Sequence, residues 1–227
     1  MQTPDFKADF FSLTRVKSLL QNQGAFLLRQ FLPRPLLLDW LPRFEKAVAK
    51  TELHYQQQLL STAEYSNYYR FGHPLPALLE GYEDWINTLF AYHPLRNLLR
   101  SLYGPEAYIL GAYSLPRCIQ PQFPERKLNY HQDYEYIGPV QESINIWSPL
   151  TPAGGEYPGL ELWLNGPQSP LFRLDQSEEE RQEIIQEIPA EQIWRPEMQP
   201  GDVLIFTPYT LHRTLLTAEM TKPRISY

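Results

Sequence analysis

Five histidines narrow quickly to two. His73 and His93 each precede a proline and His54 lies in a polar, helix-like stretch, so these three read as surface or capping residues. His131 stands in Asn129-Tyr130-His131-Gln132-Asp133, at the end of an expected strand. Residues two apart share a strand face, which points His131 and Asp133 the same way and Gln132 away. His212 opens a second expected strand near the chain end, after Gly201-Asp-Val-Leu-Ile-Phe206 and a Thr-Pro-Tyr-Thr break. If His212 joins His131 and Asp133, two neutral imidazoles and one carboxylate occupy one face of a metal ion and leave the other positions open. Non-haem Fe(II) oxygenases use that arrangement. Zinc takes the same three ligands with water as a fourth, so spacing alone leaves both metals open.

A further element separates these chemistries. Beyond His212 comes Lys222-Pro-Arg224-Ile-Ser226-Tyr227, in which Arg224 starts a strand and Ser226 shares its face. The connection between the two strands extends about 3.3 Å per residue, enough to cross the ~10 Å between packed sheets. Arg224 can therefore enter the metal-bearing cavity from the facing sheet. A guanidinium there suits a carboxylate held by bidentate hydrogen bonds. Thr214, two residues after His212, turns its hydroxyl into the same cavity. A zinc hydrolase has no obvious need for this pair; an oxygenase with a dicarboxylate co-substrate does.

The elements that must position these residues fall into two unequal parts. Residues 1–105 read as mainly helical: Phe10, Leu13, Val16, Leu19 and Leu20 recur at helical spacing and Gly24 follows as a stop. Residues 24–33 read as a strand closed by Pro33, 36–50 as an amphipathic helix, and 74–90 and 94–103 as helices opening on proline. From 106 to 227 short β-rich runs alternate with Pro and Gly breaks, at 108–114, 128–133, 142–147, 160–164, 188–194, 202–206, 211–216 and 224–227. That grammar suggests a β-sandwich or barrel, interrupted by an acidic helix over 177–187 whose Ser-Glu-Glu-Glu start resembles a capping box.

Composition bounds the rest. The 227 residues are 43% hydrophobic and 20% charged, which excludes global disorder and favours a single domain over 1–227. Twenty-two prolines argue against an all-helical fold. A net charge of −6 makes nucleic acid a poor partner. Cys118 is the only cysteine, so an internal disulfide and a thiolate zinc cluster are both excluded. No apolar run approaches the ~20 residues of a membrane span, and residues 1–11 lack the core of a secretory signal, so a cytoplasmic protein is expected.

Together these motifs resemble the phytanoyl-CoA dioxygenase family of Fe(II)/2-oxoglutarate oxygenases. The likeness runs through the opening helix and 24–33, His131-Gln-Asp133, Ile144-Asn-Ile-Trp147-Ser-Pro-Leu150 and Gly159-Leu-Glu-Leu-Trp163, to Gly201-Asp-Val-Leu-Ile-Phe206, His212 and Arg224. It implies a mainly β fold with α, a double-stranded β-helix (jelly roll) flanked by N-terminal helices. It implies His131, Asp133 and His212 as catalytic iron ligands, and Arg224 and Thr214 holding the distal carboxylate of 2-oxoglutarate. Trp147 stands where members often place a tryptophan against the co-substrate. Oxidation of a small-molecule substrate by dioxygen would follow, with 2-oxoglutarate converted to succinate and carbon dioxide. Tyr130, Tyr134 and Tyr136 either line the substrate mouth or pack on strand edges. Asn165-Gly166-Pro167 departs from the family's usual turn, and 169–187 has no aligned counterpart. Two other readings use the same residues: a zinc- or manganese-dependent jelly-roll hydrolase or isomerase, and a non-catalytic binding protein on the same fold.

Overall fold

Helix caps and strand alternation set the frame. The computed structural model describes residues 4–7, 12–107, 114–137, 143–165, 172–173 and 175–227. In chain order the elements are β1 (Asp5–Lys7), α1 (Leu13–Gln23), β2 (Ala25–Arg29), α2 (Arg34–Gln56), α3 (Thr62–Phe71), α4 (Tyr82–Ala91), α5 (His93–Tyr103), β3 (Arg117–Ile119), α6 (Tyr134–Ile137), β4 (Asn145–Trp147), β5 (Gly159–Trp163), α7 (Glu178–Gln186), β6 (Ile193–Trp194), β7 (Val203–Phe206), β8 (His212–Leu215) and β9 (Arg224–Ser226). Ser12 caps α1 by accepting from the Arg15 amide, and Gly24 ends it in the left-handed region at φ 78°. The acidic helix starts as expected, with Ser177 and Glu180 forming a capping box.

Nearly all strand pairings are antiparallel; β1 and β2 run parallel. The larger sheet has the order β1-β2-β7-β4. It continues through a Pro149–Ser226 bridge to the pair β9-β3. The smaller sheet is β6-β5-β8, extended at its β8 edge by a bridge between His131 and His212. Alternation then assigns each residue a side. Ala25, Leu27, Leu204 and Phe206 of the larger sheet pack with Leu160, Leu162 and Leu164 from the smaller one, forming the layer between the sheets. The intervening Phe26, Leu28, Val203, Ile205 and Ile225 face the other way and pack with Trp40, Phe44, Trp85 and Leu98 of the helices. The outer face of the smaller sheet is covered by Phe172, Ile184 and Ile185, so α7 shields that side.

The Gly201-Asp202 pair proves to be structural. Asp202 is buried, accepts from the Gln30 and Gln199 amides, and pairs with Arg29 at 2.8 Å. Gly201 sits at φ +102°, where a Cβ would lie 2.9 Å from the Leu32 carbonyl oxygen.

Several sequence expectations need correction. Residues 128–133 do not form a strand; only His131 bridges. The stretch 74–90 is broken at Gly81, a short 3-10 turn (Pro76–Leu78) preceding α4. The strand over 24–33 stops at Arg29, where Gln30 takes φ 52°. The run 188–194 keeps only β6, after another 3-10 turn. Helix α3 and strand β3 were not expected at all. The expected strand over 108–114 lies outside the described residues except for Ser114, and the turn at 165–167 except for Asn165. Pro42 sits inside α2, so proline does not exclude every helix interior here.

Candidate functional site

One ligand atom each from His131, Asp133 and His212 lies within 4.8 Å of the others. His212 is held by β8, paired to Leu162 of β5. His131 comes to it through reciprocal backbone hydrogen bonds, each amide donating to the other's carbonyl at 3.0 Å. Asp133 is not delivered by strand alternation. The chain turns directly after the bridge, and the Asp133 carbonyl accepts from Tyr136 and Ile137 at the start of α6. Gln132 does point away, as expected: it donates to the Tyr209 carbonyl and accepts from the Phe172 amide, locking the turn from behind.

The ring nitrogens have divided roles. His131 Nδ1 lies 2.7 Å from the Asn129 carbonyl oxygen, and His212 Nδ1 lies 2.9 Å from that of Thr210. A carbonyl can only accept, so both Nδ1 atoms carry a proton, the tautomer that turns each Nε2 toward a metal. Those Nε2 atoms are 3.5 and 3.8 Å from the two oxygens of Asp133. Burial, reinforced by His131, pushes His212 down to about 4, so it is neutral at ordinary pH. Burial alone would raise the Asp133 carboxyl, but His212, His131 and Arg117 outweigh it and hold it below the usual range. The Asp133 side chain is 25% exposed while both imidazoles are under a tenth exposed, so the cluster opens at its carboxylate.

Arg224 reaches this region from the larger sheet. Fully buried on β9, it donates Nη1 to the carbonyls of Pro158 and Gly159 at the start of β5, across the gap between the sheets. Its Nε and Nη2 have no hydrogen-bond partner among the described residues, and neither does Ser226 Oγ on the same face. Burial, with the charge of Arg117, pushes the guanidinium down to about 9, which still leaves it charged. The Trp147 ring of β4 lies 5.2 Å from the guanidinium carbon. Thr214 shares the inward face of β8 with His212 and accepts from the Leu128 amide at 3.3 Å, leaving its own proton to donate. It also lines a cleft of about 380 Å³ with Lys127, Asn129, Arg195 and Arg213.

The sequence model of the phytanoyl-CoA dioxygenase (PhyH) family matches residues 21–216. The chain belongs to that family. The match includes His131, Asp133, Thr214 and His212 and ends before Arg224 and Ser226, which rest on the geometry above. No curated protein matches the chain in sequence. Among solved structures, EctD from S. alaskensis with 2-oxoglutarate and 5-hydroxyectoine is similar at a TM-score of 0.67 and 17% identity, covering 99% of this chain and 75% of that one. AviO1 from Streptomyces viridochromogenes Tue57 is similar at 0.61 and 14% identity, covering 96% and 93%. At these identities the likeness establishes a shared fold.

The three tyrosines separate. Tyr130 faces the outer side of the smaller sheet, where it donates to the buried Glu161 carboxylate beneath Arg213. Tyr134 donates to the Phe172 carbonyl and packs on Tyr209. Only Tyr136 stays beside the cluster, edge-on to His131 at 5.9 Å and 53% exposed. The residue that sequence reasoning missed is Arg117. Its three-residue strand carries no periodic signal, and its pairing with β9 is visible only in the fold.

Proposed function

We propose that the chain is an Fe(II)- and 2-oxoglutarate-dependent dioxygenase that oxidises a small organic substrate. The observation that carries this reading is the unmet donor set of Arg224 and Ser226, buried on the wall facing a His-Asp-His cluster. A buried guanidinium with two orphaned nitrogens is costly unless an acceptor completes it. A carboxylate supplies that acceptor, and the cluster supplies a metal position that leaves room for an exogenous chelator. A zinc hydrolase accounts for the cluster and leaves Arg224 and Ser226 without a task.

In this reading His131, Asp133 and His212 hold the metal, each imidazole through Nε2. Arg224, Ser226 and Thr214 bind the distal carboxylate of 2-oxoglutarate, and Trp147 walls the co-substrate. Bound Fe(II) and 2-oxoglutarate supply dioxygen activation coupled to loss of carbon dioxide and formation of succinate. The protein's part is placement. The carbonyls of Asn129 and Thr210 fix the imidazole tautomers, the edge of Phe206 against His212 at 4.8 Å fixes a ring, and Arg224 orients the co-substrate and keeps it from tumbling. The two facing sheets are read as a double-stranded β-helix forming one domain with its helical support. No helix among the described residues is long and apolar enough to cross a membrane. A cytoplasmic location is part of this reading, and the lone thiol, Cys118, suits its reducing conditions.

The test is anaerobic titration of metal-free protein with Fe(II) and then 2-oxoglutarate, followed by air. A single iron per chain, 2-oxoglutarate binding that depends on the metal, and slow release of succinate are expected. Substrate turnover that consumes no 2-oxoglutarate would replace this reading with the hydrolase.

A further inference from the structure

Among the arginines that are not exposed, Arg29, Arg43, Arg126, Arg181 and Arg213 each have a carboxylate partner. Arg224 and Arg117 have none among the described residues. The first is accounted for by the co-substrate; the second is not.

Register places Arg117 on the inner face. In the β3-β9 pair it sits opposite Ser226, and Ile119 sits opposite Arg224. Opposed residues of an antiparallel pair project to the same side, so Arg117 shares the side of Arg224 and Ser226. Cys118 and Ile225 between them face the helices. The Arg117 guanidinium is anchored from behind by two backbone carbonyls, Nε to Phe71 at 2.6 Å and Nη2 to Arg126 at 3.0 Å. Carbonyls orient the group without neutralising it, and Nη1 makes no hydrogen bond to the described residues. The side chain lies deep in the molecule yet keeps contact with solvent, as a group on a cavity wall does. Its charge is felt at both ends of the site: it helps hold the Asp133 carboxyl low and pushes the Arg224 guanidinium down.

The charge count then has a consequence. An imidazole that binds a metal through Nε2 and donates from Nδ1 is uncharged, so among the described residues Asp133 against Arg117 and Arg224 leaves the site one net positive charge. A divalent ion and the 2-oxoglutarate dianion cancel, so that charge persists in the loaded site. We propose that Arg117 binds an anionic group on the substrate to be oxidised, and that this substrate is a carboxylic acid or a comparable monoanion. The inference rests on the dioxygenase reading and adds to it the class of substrate.

The probe is a series of straight-chain monocarboxylates, acetate to octanoate, each beside its neutral amide. They are titrated without oxygen into protein saturated with Fe(II) and 2-oxoglutarate. At least one acid should bind the parent about tenfold tighter than its amide, and Arg117→Gln should bring that preference close to unity. Arg117→Lys should restore part of it, since a point charge replaces a fork. The affinity for 2-oxoglutarate should stay within about threefold in both variants. An acid preference unchanged in Arg117→Gln, or none in the parent, overturns the inference. A large loss of 2-oxoglutarate affinity in Arg117→Gln also overturns it, assigning Arg117 to the co-substrate. If Arg117→Gln does not fold, a crystal structure of the parent with the preferred acid decides: a carboxylate seated on Arg224 rather than Arg117 overturns the inference. Failure of 2-oxoglutarate to bind the parent sinks the dioxygenase reading itself, whereas binding of 2-oxoglutarate without acid preference sinks the substrate class alone.

Discussion

On the smaller sheet, His131 and His212 each give an Nδ1 proton to a nearby carbonyl, and Asp133 sits between two imidazoles. On the larger sheet, among the described residues, Arg224 keeps two nitrogens unmet, Ser226 keeps its hydroxyl unmet, and Arg117 has no ion-pair partner. The first wall is ordered by its own hydrogen bonds before anything binds. In the proposed reading the second holds charge and donors for a ligand that arrives. A wall of the first kind grips a metal by preorganisation. A wall of the second kind selects its ligand by what it lacks, because an uncompensated buried guanidinium disfavours every occupant but an anion.

The largest expected effect breaks the first wall. His212→Ala should abolish iron retention through gel filtration, because even groups one layer beyond a metal's ligands are worth roughly 10–100-fold in affinity. Elemental analysis reads this, and iron retained at the parent's level would remove His212 from the metal site. Next comes the second wall. Arg224→Ala should weaken 2-oxoglutarate by about 2–5 kcal/mol while iron still binds, and Arg224→Lys should recover only part. Anaerobic calorimetry checks both, and equal affinities would end the co-substrate role of Arg224.

The comparison sharpens in the unliganded protein. Replacing a buried, uncompensated charge by an apolar side chain of similar length should stabilise, so Arg224→Met should raise the ligand-free unfolding free energy by about 1–4 kcal/mol while losing 2-oxoglutarate. Urea denaturation measures this, and a marked destabilisation would make Arg224 a structural residue. Acid should act on the first wall. His212, by burial and then His131, and His73, by burial and then Arg117, are both pushed to about 4 from an ordinary 6.5. The unfolded chain therefore binds more protons below the ordinary value. The metal-free fold should lose about 1–3 kcal/mol per histidine as pH falls from 6.5 through 4. His73→Gln should remove its share from the pH dependence of the urea midpoint, and an unchanged dependence would refute this assignment. Smallest of all, Ser226→Ala and Thr214→Val should each weaken 2-oxoglutarate by about 0.5–1.5 kcal/mol, one hydrogen bond's worth.

Much of the candidate site's geometry was legible in residue type and spacing. His131, Asp133 and His212 converge, Gln132 turns away, and Arg224 crosses from the facing sheet. Strand alternation does not place Asp133; the turn into α6 does. By sequence Tyr130 suits edge packing at least as well as the mouth, and the outer face claims it because His131 beside it faces inward.

Sequence by itself determined the local chemistry: caps at Ser12 and Ser177, alternation in Val203–Phe206, and a candidate donor pair at His131 and Asp133. Such features depend on neighbours a few residues apart, and periodicity reports them directly. Only the tertiary structure decided what pairs across long separations. Arg117 lies opposite Ser226 because β3 and β9 close one edge of a sheet, and no local pattern in Arg117-Cys118-Ile119 encodes that partner. The lack of an ion-pair partner for Arg117 among the described residues is likewise a property of everything packed around it, because a guanidinium is compensated or not by groups brought near from elsewhere in the fold.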